Sequence, residues 1–242
     1  MNSLSRRNLM SLAAAAPLAR AIASATSSKL LPSLDPAQER ARKRVQELHL
    51  PNVPLLTHEG RKVRFYDDLL KDKIVSINFF FSKCDDICPM VIPNLLKVQK
   101  LLGNQVGRQL FMYTITLKPE EDSVEVIRNY RKAAHAGPGW TFLTGKPSDV
   151  EELRRGIGFT YPEPKVDADK TQHIGNIRYG NEPLMLWAAC PGMAHAEWIA
   201  ESFTWMIRPD TNRVQPDGRP TRPTEAPAHD HEHMMHDHAE GK

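Results

Sequence analysis

The chain is organised around the segment Ser82-Lys83-Cys84-Asp85-Asp86-Ile87-Cys88-Pro89, which directly follows the apolar run Ile74 to Phe81. This run is rich in β-branched and aromatic residues, which is typical of a buried strand. Apolar residues with helical spacing follow from Pro89 to Leu102, and Gly103 marks the end of that predicted helix. The two cysteines are therefore predicted to lie where a strand gives way to a helix. The unpaired amides of a first helical turn stabilise a thiolate at such a junction.

The segments on either side of this junction predict an α/β sandwich built from βαβ units. Two further strands and the helix between them continue the alternation: Gln109–Leu117, Val124–Ala134 and Trp140–Leu143. A hairpin with a glycine in its turn is predicted at each end of the domain. The first joins Val53–Thr57 to Arg61–Phe65 around His58-Glu59-Gly60, and the second joins Asn176–Tyr179 to Leu184–Ala189 around Gly180-Asn181-Glu182-Pro183.

Capping residues predict where the helices begin. Asp122 or Ser123 can cap the helix that follows the second strand. Ser148 and Glu151 form a capping box for a helix that ends near Gly156. The last predicted helix, about Ala194 to Ile207, places five apolar residues on one face: Trp198, Ile199, Phe203, Met206 and Ile207.

The N-terminus is predicted to be an export signal. Residues 1–25 contain the twin-arginine sequence Ser5-Arg6-Arg7-Asn8-Leu9-Met10, a short apolar segment and the small-residue cleavage site Ala23-Ser24-Ala25. The alternative is an amphipathic N-terminal helix that stays attached. Beyond the signal we expect a linker with a short surface helix over residues 26–49, one domain over 50–208 and a disordered tail over 209–242. The mature protein is therefore predicted to lie in the periplasm, exported by the twin-arginine route.

Charge and hydropathy exclude two classes of partner. The formal net charge is +3, and Arg6, Arg7 and Arg20 in the signal account for all of it. The domain therefore has no basic field for nucleic acid. No uncharged apolar run approaches the ~18 residues needed to span a bilayer, so we expect no transmembrane anchor in the mature chain.

The three cysteines are Cys84, Cys88 and Cys190. A disulfide between Cys84 and Cys88 would close too small a loop to stabilise the fold much, which favours redox or metal chemistry for that pair. Two thiolates are soft ligands that select Cu(I), or Zn(II) if more ligands join, and three intervening residues suit a metal better than they suit disulfide exchange. Two buried structural thiols are the alternative. Cys190 is predicted to be a small buried residue, with a third redox thiol as its alternative.

The segment from Ile77 to Pro89, with its apolar strand, cysteine pair and following proline, resembles the Sco (SenC-type) copper chaperones. The resemblance covers about residues 50 to 208 and continues at His58-Glu59-Gly60, Arg64-Phe65, Gly139 to Gly145 and Leu153 to Phe159. It implies a thioredoxin-like fold, in which a central mixed sheet is flanked by helices and preceded by an N-terminal β-hairpin.

The resemblance also implies that Cys84, Cys88 and a distant histidine, His173, bind copper as Cu(I) or Cu(II). Two thiolates and a neutral imidazole make a three-coordinate site that holds Cu(I) and stays open to a partner's ligands. The chain departs from the family at Gln172, where an acid usually precedes this histidine. It departs again at Lys118-Pro119, where Asp-Pro is usual, and we expect this change to touch the framework more than the ligands.

The remaining histidines of the domain are predicted to have ordinary roles. His49 and His58 should be solvated, and His135 and His195 lie at predicted helix ends, where capping explains them.

The tail contains half of the ten histidines, interleaved with acids and methionines. Such a tract is typical of metal capture, because imidazole suits Cu(II), Ni(II) and Zn(II) while thioether suits Cu(I). An inert solvated tail or a purification tag is the alternative. The candidate auxiliary ligands are His229, His231, His233, Met234, Met235, His236 and His238.

These observations predict a periplasmic copper chaperone. The resemblance implies delivery to a respiratory copper enzyme, above all to the dinuclear copper site of cytochrome c oxidase, after loading by a copper-donor protein. The main alternative is a thiol-disulfide oxidoreductase that reduces the acceptor's cysteines, with Cys84 and Cys88 cycling between dithiol and disulfide. His173 discriminates between the two, because disulfide exchange does not need it. A copper sensor or storage protein is a third reading, in which the tail would matter more than the domain.

Overall fold

The computed structural model describes residues 35–83, 88–169 and 175–207, and residues 38, 41, 88 and 89 by their backbone alone. Six α-helices and seven strands lie in these ranges. The helices are α1 Pro36–His49, α2 Cys88–Leu102, α3 Val124–Ala133, α4 Pro147–Gly156, α5 Pro164–Ala168 and α6 Ala196–Ile207. The strands are β1 Pro54–Thr57, β2 Lys62–Arg64, β3 Ile74–Phe80, β4 Leu110–Thr116, β5 Trp140–Gly145, β6 Asn176–Asn181 and β7 Leu186–Pro191.

The strands form one mixed sheet in the order β2-β1-β5-β4-β3-β6-β7. The central strands β3, β4 and β5 are parallel and are connected by α2 and α3, while all other pairings are antiparallel. The predicted βαβ units and both predicted hairpins are therefore confirmed. Parallel strands end at the same edge of a sheet, so the carboxyl ends of β3, β4 and β5 lie together. The cysteine segment leaves the sheet at this edge.

The apolar core lies on both faces of the sheet, which explains why β3 is almost continuously apolar. On one face, α2 and α6 pack over a cluster that includes Phe80 and Phe142. On the other, α4 and residues 65–70, which follow β2, pack over a cluster that includes Val75, Ile77 and Phe79. Alternate side chains of β3 thus pack into the core on opposite faces of the sheet.

The structure confirms one predicted helix cap and overturns another. Ser123 caps α3, because its Oγ accepts a hydrogen bond from the N–H of Val126 at 3.4 Å, whereas Asp122 is used elsewhere. The capping box of Ser148 and Glu151 is wrong. Helix α4 begins at Pro147 with Lys146 as its N-cap residue and no side-chain cap, so Ser148 already lies inside the helix.

The second hairpin turns later than predicted. Strand β6 continues to Asn181, and the reversal falls at residues 182–185, where Met185 has a φ of 51°. The tetrapeptide of Gly180 to Pro183 is typical of a turn, yet tertiary contacts extend the strand: the Asn181 amide donates to the carbonyl of Met206 at 2.9 Å. Trp198 is a further correction, since 45% of its surface is exposed while Ile199 is fully buried.

Helix α1 is longer than a short surface helix and is fastened to the domain. Glu182 is fully buried, and its carboxylate accepts hydrogen bonds from Arg42 at 2.7 Å, from the Tyr66 hydroxyl at 2.7 Å and from the N–H of Asp72 at 2.8 Å. Because a buried carboxylate is stable only when its oxygens are paired, these contacts hold α1 against the second hairpin.

Across the three described ranges, every helix is too short or too polar to cross a lipid bilayer.

Candidate metal centre

The structure describes the surroundings of the predicted metal ligands rather than the ligands themselves. Cys88 is the first residue of α2, and its backbone alone is described. Cys84, His173 and the histidines and methionines of the tail lie outside the described residues. Within the described ranges, no three His, Cys, Asp or Glu side chains come together to hold a metal ion. The assignment of Cys84, Cys88 and His173 therefore stays a prediction, and the framework that surrounds them is the finding.

The strands that border the two predicted ligand segments are neighbours in the sheet. Strand β3 leads to residues 84–87, and β6 begins just after residues 170–174. The two strands are antiparallel, with Asn78 opposite Ile177, so the end of β3 and the start of β6 lie at the same edge.

The beginning of α2 also contacts the chain at the start of β6, through Gly192. The N–H of Gly192 donates to the carbonyl of Gly175 at 2.7 Å, and the Asn94 side chain donates to the carbonyls of Gly192 and Ala194 at 2.8 and 2.7 Å. A β-carbon on Gly192 would lie 2.6 Å from the Gly175 oxygen and 2.9 Å from Cγ1 of Val91. Only glycine fits this approach. Val91 is three residues after Cys88, and Gly175 is two residues after His173.

Asp122 anchors the chain just before Cys84. It is fully buried, and its carboxylate accepts hydrogen bonds from the N–H of Ser82 at 3.1 Å, from the Ser82 hydroxyl and from the Thr116 hydroxyl. Its own carbonyl accepts from the Thr144 hydroxyl at 2.8 Å. One side chain thus joins the ends of β3 and β4, and sequence reasoning considered it only as a helix cap.

Lys118 lies beside the cysteine segment rather than in the remote framework. Its ammonium lies 4.4 Å from the ring centroid of Phe81, three residues before Cys84. Glu121 lies 3.7 Å from Lys118 and 3.5 Å from Lys83, so a lysine pair and one carboxylate border the segment. Lys118, where the family usually has an acid, therefore adds positive charge beside Phe81, three residues before Cys84.

A buried ion pair fixes the chain before His173. Arg154 binds Asp167 with two hydrogen bonds of 2.7 and 2.8 Å, and Asp167 also accepts from the N–H of Tyr161 at 2.9 Å. Hydrogen bonds from the Arg154 guanidinium hold the pKa of Asp167 well below its usual range. The pair ties the short helix α5, which was not predicted, to the end of α4.

Cys190 is a buried residue, as predicted. It is 2% exposed and packs in the core beneath α2 and α6, opposite Ile177 in the sheet. Burial raises the pKa of its thiol to about 11, so it is protonated at neutral pH. A protonated, buried thiol is a poor nucleophile, which argues against a third redox cysteine.

His58 differs from its predicted role. His58 is half-buried. Its ring Nδ1 accepts a hydrogen bond from the backbone N–H of Phe142 at 3.3 Å, and its backbone N–H donates to the Phe142 carbonyl at 2.8 Å. Burial and the nearby cation Arg131 lower the pKa of His58. It therefore links the first hairpin to β5 as a neutral imidazole, whereas His49, His135 and His195 are exposed.

Comparison with known proteins gives one family for this arrangement. Residues 44–178, more than half of the chain, match a family described as SCO1/SenC. A mitochondrial SCO2 homologue of Bos taurus is 32% identical over 120 residues, which are 48% of this chain and 42% of the relative. The structure of Arabidopsis thaliana ScoI with copper bound has a TM-score of 0.54 at 19% identity and covers 65% of this chain and 96% of that one.

A further structural neighbour is BsSco, described as a member of the Sco family of cytochrome c oxidase assembly proteins. It has a TM-score of 0.50 at 19% identity and covers 64% of this chain and 90% of its own. These likenesses confirm the predicted thioredoxin-like fold. The chain spans between 41% and 64% of the length of the curated relatives that it matches.

Proposed function

The chain belongs to the SCO1/SenC family, and we propose that it binds copper through Cys84, Cys88 and His173 and passes it to a copper enzyme under assembly. The observation that carries this proposal is the contact of Gly192 with both Val91 and Gly175. It joins the residues that follow Cys88 to the residue that follows the His173 segment, although these are more than 80 positions apart in sequence.

The chemistry of the three side chains suits transfer of Cu(I). Two thiolates and one imidazole satisfy a soft ion with few ligands, which leaves a position for an incoming ligand from a partner. Cys88 opens a helix of 15 residues, and the positive end of that helix favours a thiolate there. Copper is the cargo in this scheme, and it leaves by exchange of ligands.

The family and its neighbours favour a respiratory acceptor. A copper-bound ScoI and a member described as belonging to cytochrome c oxidase assembly proteins share this fold. We therefore infer that the acceptor is the copper-receiving subunit of a respiratory oxidase, at its dinuclear copper site, and that a separate protein donates the copper. Delivery would take place in the periplasm, because residues 1–25 are predicted to be a twin-arginine signal.

The second candidate is a thiol-disulfide oxidoreductase that reduces the acceptor's cysteines before copper arrives. The position of Cys88 at the start of α2 favours it too, since a thiolate at a helix start is also the reactive species in disulfide exchange.

An anaerobic titration of the reduced, tail-truncated protein with Cu(I) tests the proposal. The His-rich tail is removed after Pro223 so that only the domain is measured. We expect one tight copper per chain, lost in Cys84→Ser and weakened in His173→Ala. His135→Asn is the matched control, because His135 is an exposed histidine with a φ of 56°, a conformation that asparagine tolerates.

A chain that binds no copper tightly, or binds it equally in His173→Ala, would contradict the proposed ligand set. Full activity of the cysteine pair toward a disulfide substrate without any dependence on His173 would instead favour the oxidoreductase.

A further inference from the structure

We propose that a cavity beneath α1 binds a small molecule that carries one carboxylate on an apolar body. The cavity has a volume of about 440 Å³ and lies between α1, the end of α4 and the hairpin of β6 and β7. This size is within the range of small-molecule sites. The proposal is independent of copper binding, because its walls include none of the predicted metal ligands.

The walls of the cavity are mainly apolar. Leu50, Ile77 and Ile157 line it and are buried, and Val45 and Met185 contribute at the side of α1 and at the hairpin turn. No aspartate or glutamate is among the described residues that line it. An apolar ligand body would therefore be accepted, and a cationic group would find no counter-charge.

Arg178 supplies the only permanent charge among the lining residues. It lies in β6 opposite Ile77, and its Nη2 atom would be 2.7 Å from a β-carbon on Gly158, so the guanidinium packs against that glycine. Within the described ranges the Arg178 side chain makes no hydrogen bond or ion pair, although the residue is half-buried. A planar guanidinium binds a carboxylate with two parallel hydrogen bonds, which makes a carboxylate its natural complement.

Trp187 lies on the same face of the sheet as Arg178. It is paired with Gly180, which is two residues after Arg178, and a β-carbon on Gly180 would lie 2.5 Å from Cε3 of the Trp187 ring. The indole ring lines the cavity and adds an apolar wall beside the guanidinium. One guanidinium, no acid and apolar walls together specify an apolar carboxylate.

Isothermal titration of the full chain with decanoate and with decanol tests the proposal. We expect saturable binding of decanoate to one site and weaker binding of the neutral alcohol. Arg178→Gln should weaken decanoate binding by at least about tenfold and leave decanol unchanged, because it removes a charge-assisted hydrogen bond. Arg44→Gln is the matched control: it removes the same charge from an exposed position on α1 next to Val45, outside the cavity lining.

A second variant tests the location. Val45→Trp places a larger side chain at a position that lines the cavity and is 45% exposed, so it should weaken both probes without unfolding the chain, which circular dichroism checks. The proposal is overturned if decanoate shows no saturable binding, if Arg178→Gln and Arg44→Gln have equal effects, or if Val45→Trp binds both probes as the parent chain does.

Discussion

Asp122 and the Arg154–Asp167 pair are buried charged groups that bind the chain just before two segments with predicted copper ligands. Each is buried and accepts hydrogen bonds from named donors: Asp122 holds Ser82, two residues before Cys84, and Asp167 lies six residues before His173. A buried carboxylate is costly unless it is paired, so such residues hold the backbone in one arrangement. At the scale of the residue, these buried groups fix the backbone next to the predicted metal ligands.

Replacing Asp122 with asparagine should destabilise the protein by about 2 kcal/mol, because hydrogen bonds to a charged, buried acceptor are lost and an amide donor faces the donors of Ser82 and Thr116. Ser123→Ala, which removes only the cap of α3, should cost about 1 kcal/mol. Urea unfolding of both variants measures the free energies. Equal losses of unfolding free energy in the two variants would contradict a larger contribution from the buried hydrogen bonds of Asp122.

The Arg154–Asp167 pair predicts a dependence of stability on pH. The pKa of Asp167 is lower in the folded protein than in the unfolded chain, so this carboxylate contributes stability above about pH 4 and loses it as the pH falls toward its folded pKa. Arg154→Met leaves the acid buried without its partner and should cost about 3 kcal/mol at pH 7. The loss of stability between pH 5 and pH 3 should then become shallower, by roughly the contribution of this one group.

Unfolding in urea at several pH values checks this expectation. Arg155→Met is the control, since Arg155 is 61% exposed and its contact with Asp167 is longer, at 3.3 Å. An unchanged pH profile in Arg154→Met would contradict the assignment.

At the scale of the element, the packing of α2 against the start of β6 is decisive. Gly192 lies between them, with no room for a β-carbon, so this contact sets how closely α2 approaches Gly175. Helix α2 carries Cys88 at its first residue, and Gly175 follows the His173 segment. The position of one helix relative to one strand therefore governs the spacing of the proposed ligands.

Gly192→Ala should weaken Cu(I) binding by at least about tenfold, because a methyl group would push the two segments apart, and it should cost about 1–3 kcal/mol in stability through overpacking. Gly103→Ala is the control. Gly103 has a φ of 55° and no atom within 4 Å of where a β-carbon would lie. Alanine there should cost about 1–2 kcal/mol in backbone strain. Gly103 follows the last residue of α2, at the opposite end of the helix from Cys88. Competition titration with a Cu(I) chelator measures affinity. If both variants bind copper equally, the contact of Gly192 with Val91 and Gly175 does not affect copper binding.

At the scale of the whole molecule, the proposed export signal and the His-rich tail extend the domain. Changing Arg6 and Arg7 together to lysine should abolish export by the twin-arginine route, because that route is specified by the arginine pair. Cell fractionation with an antibody against the domain would then find the chain in the cytoplasm. Lys43→Arg, an exposed change on α1, is the control, and undiminished periplasmic protein in the double variant would contradict the proposed signal.

The tail should raise the rate of copper loading by holding weakly bound copper near the domain. Truncation after Pro223 is expected to slow loading of the domain at low copper and to leave it unchanged when copper is in excess. Stopped-flow mixing with a Cu(I) donor complex measures both rates. Equal rates at low copper would remove any role of the tail in loading.

Much of the molecule follows from local patterns. The apolar run of β3, the helical spacing of α2 and the alternation of strands and helices predicted the βαβ core, because burial of one face imposes a period on the sequence. The cysteine pair and the segments around it were enough to identify the family. These features depend on neighbours within a few residues of each other, and the sequence by itself determined them.

Only the tertiary structure decided which distant segments meet. It assigned the cap of α3 to Ser123 and bound Asp122 to Ser82. It extended β6 to Asn181, whose amide binds the Met206 carbonyl, and it half-buried His58 against Phe142. Among the described residues, it also left the Arg178 guanidinium without a partner beside one apolar cavity. Such contacts join residues far apart in the chain, and no local period records them, because each depends on how the packed elements fill space together.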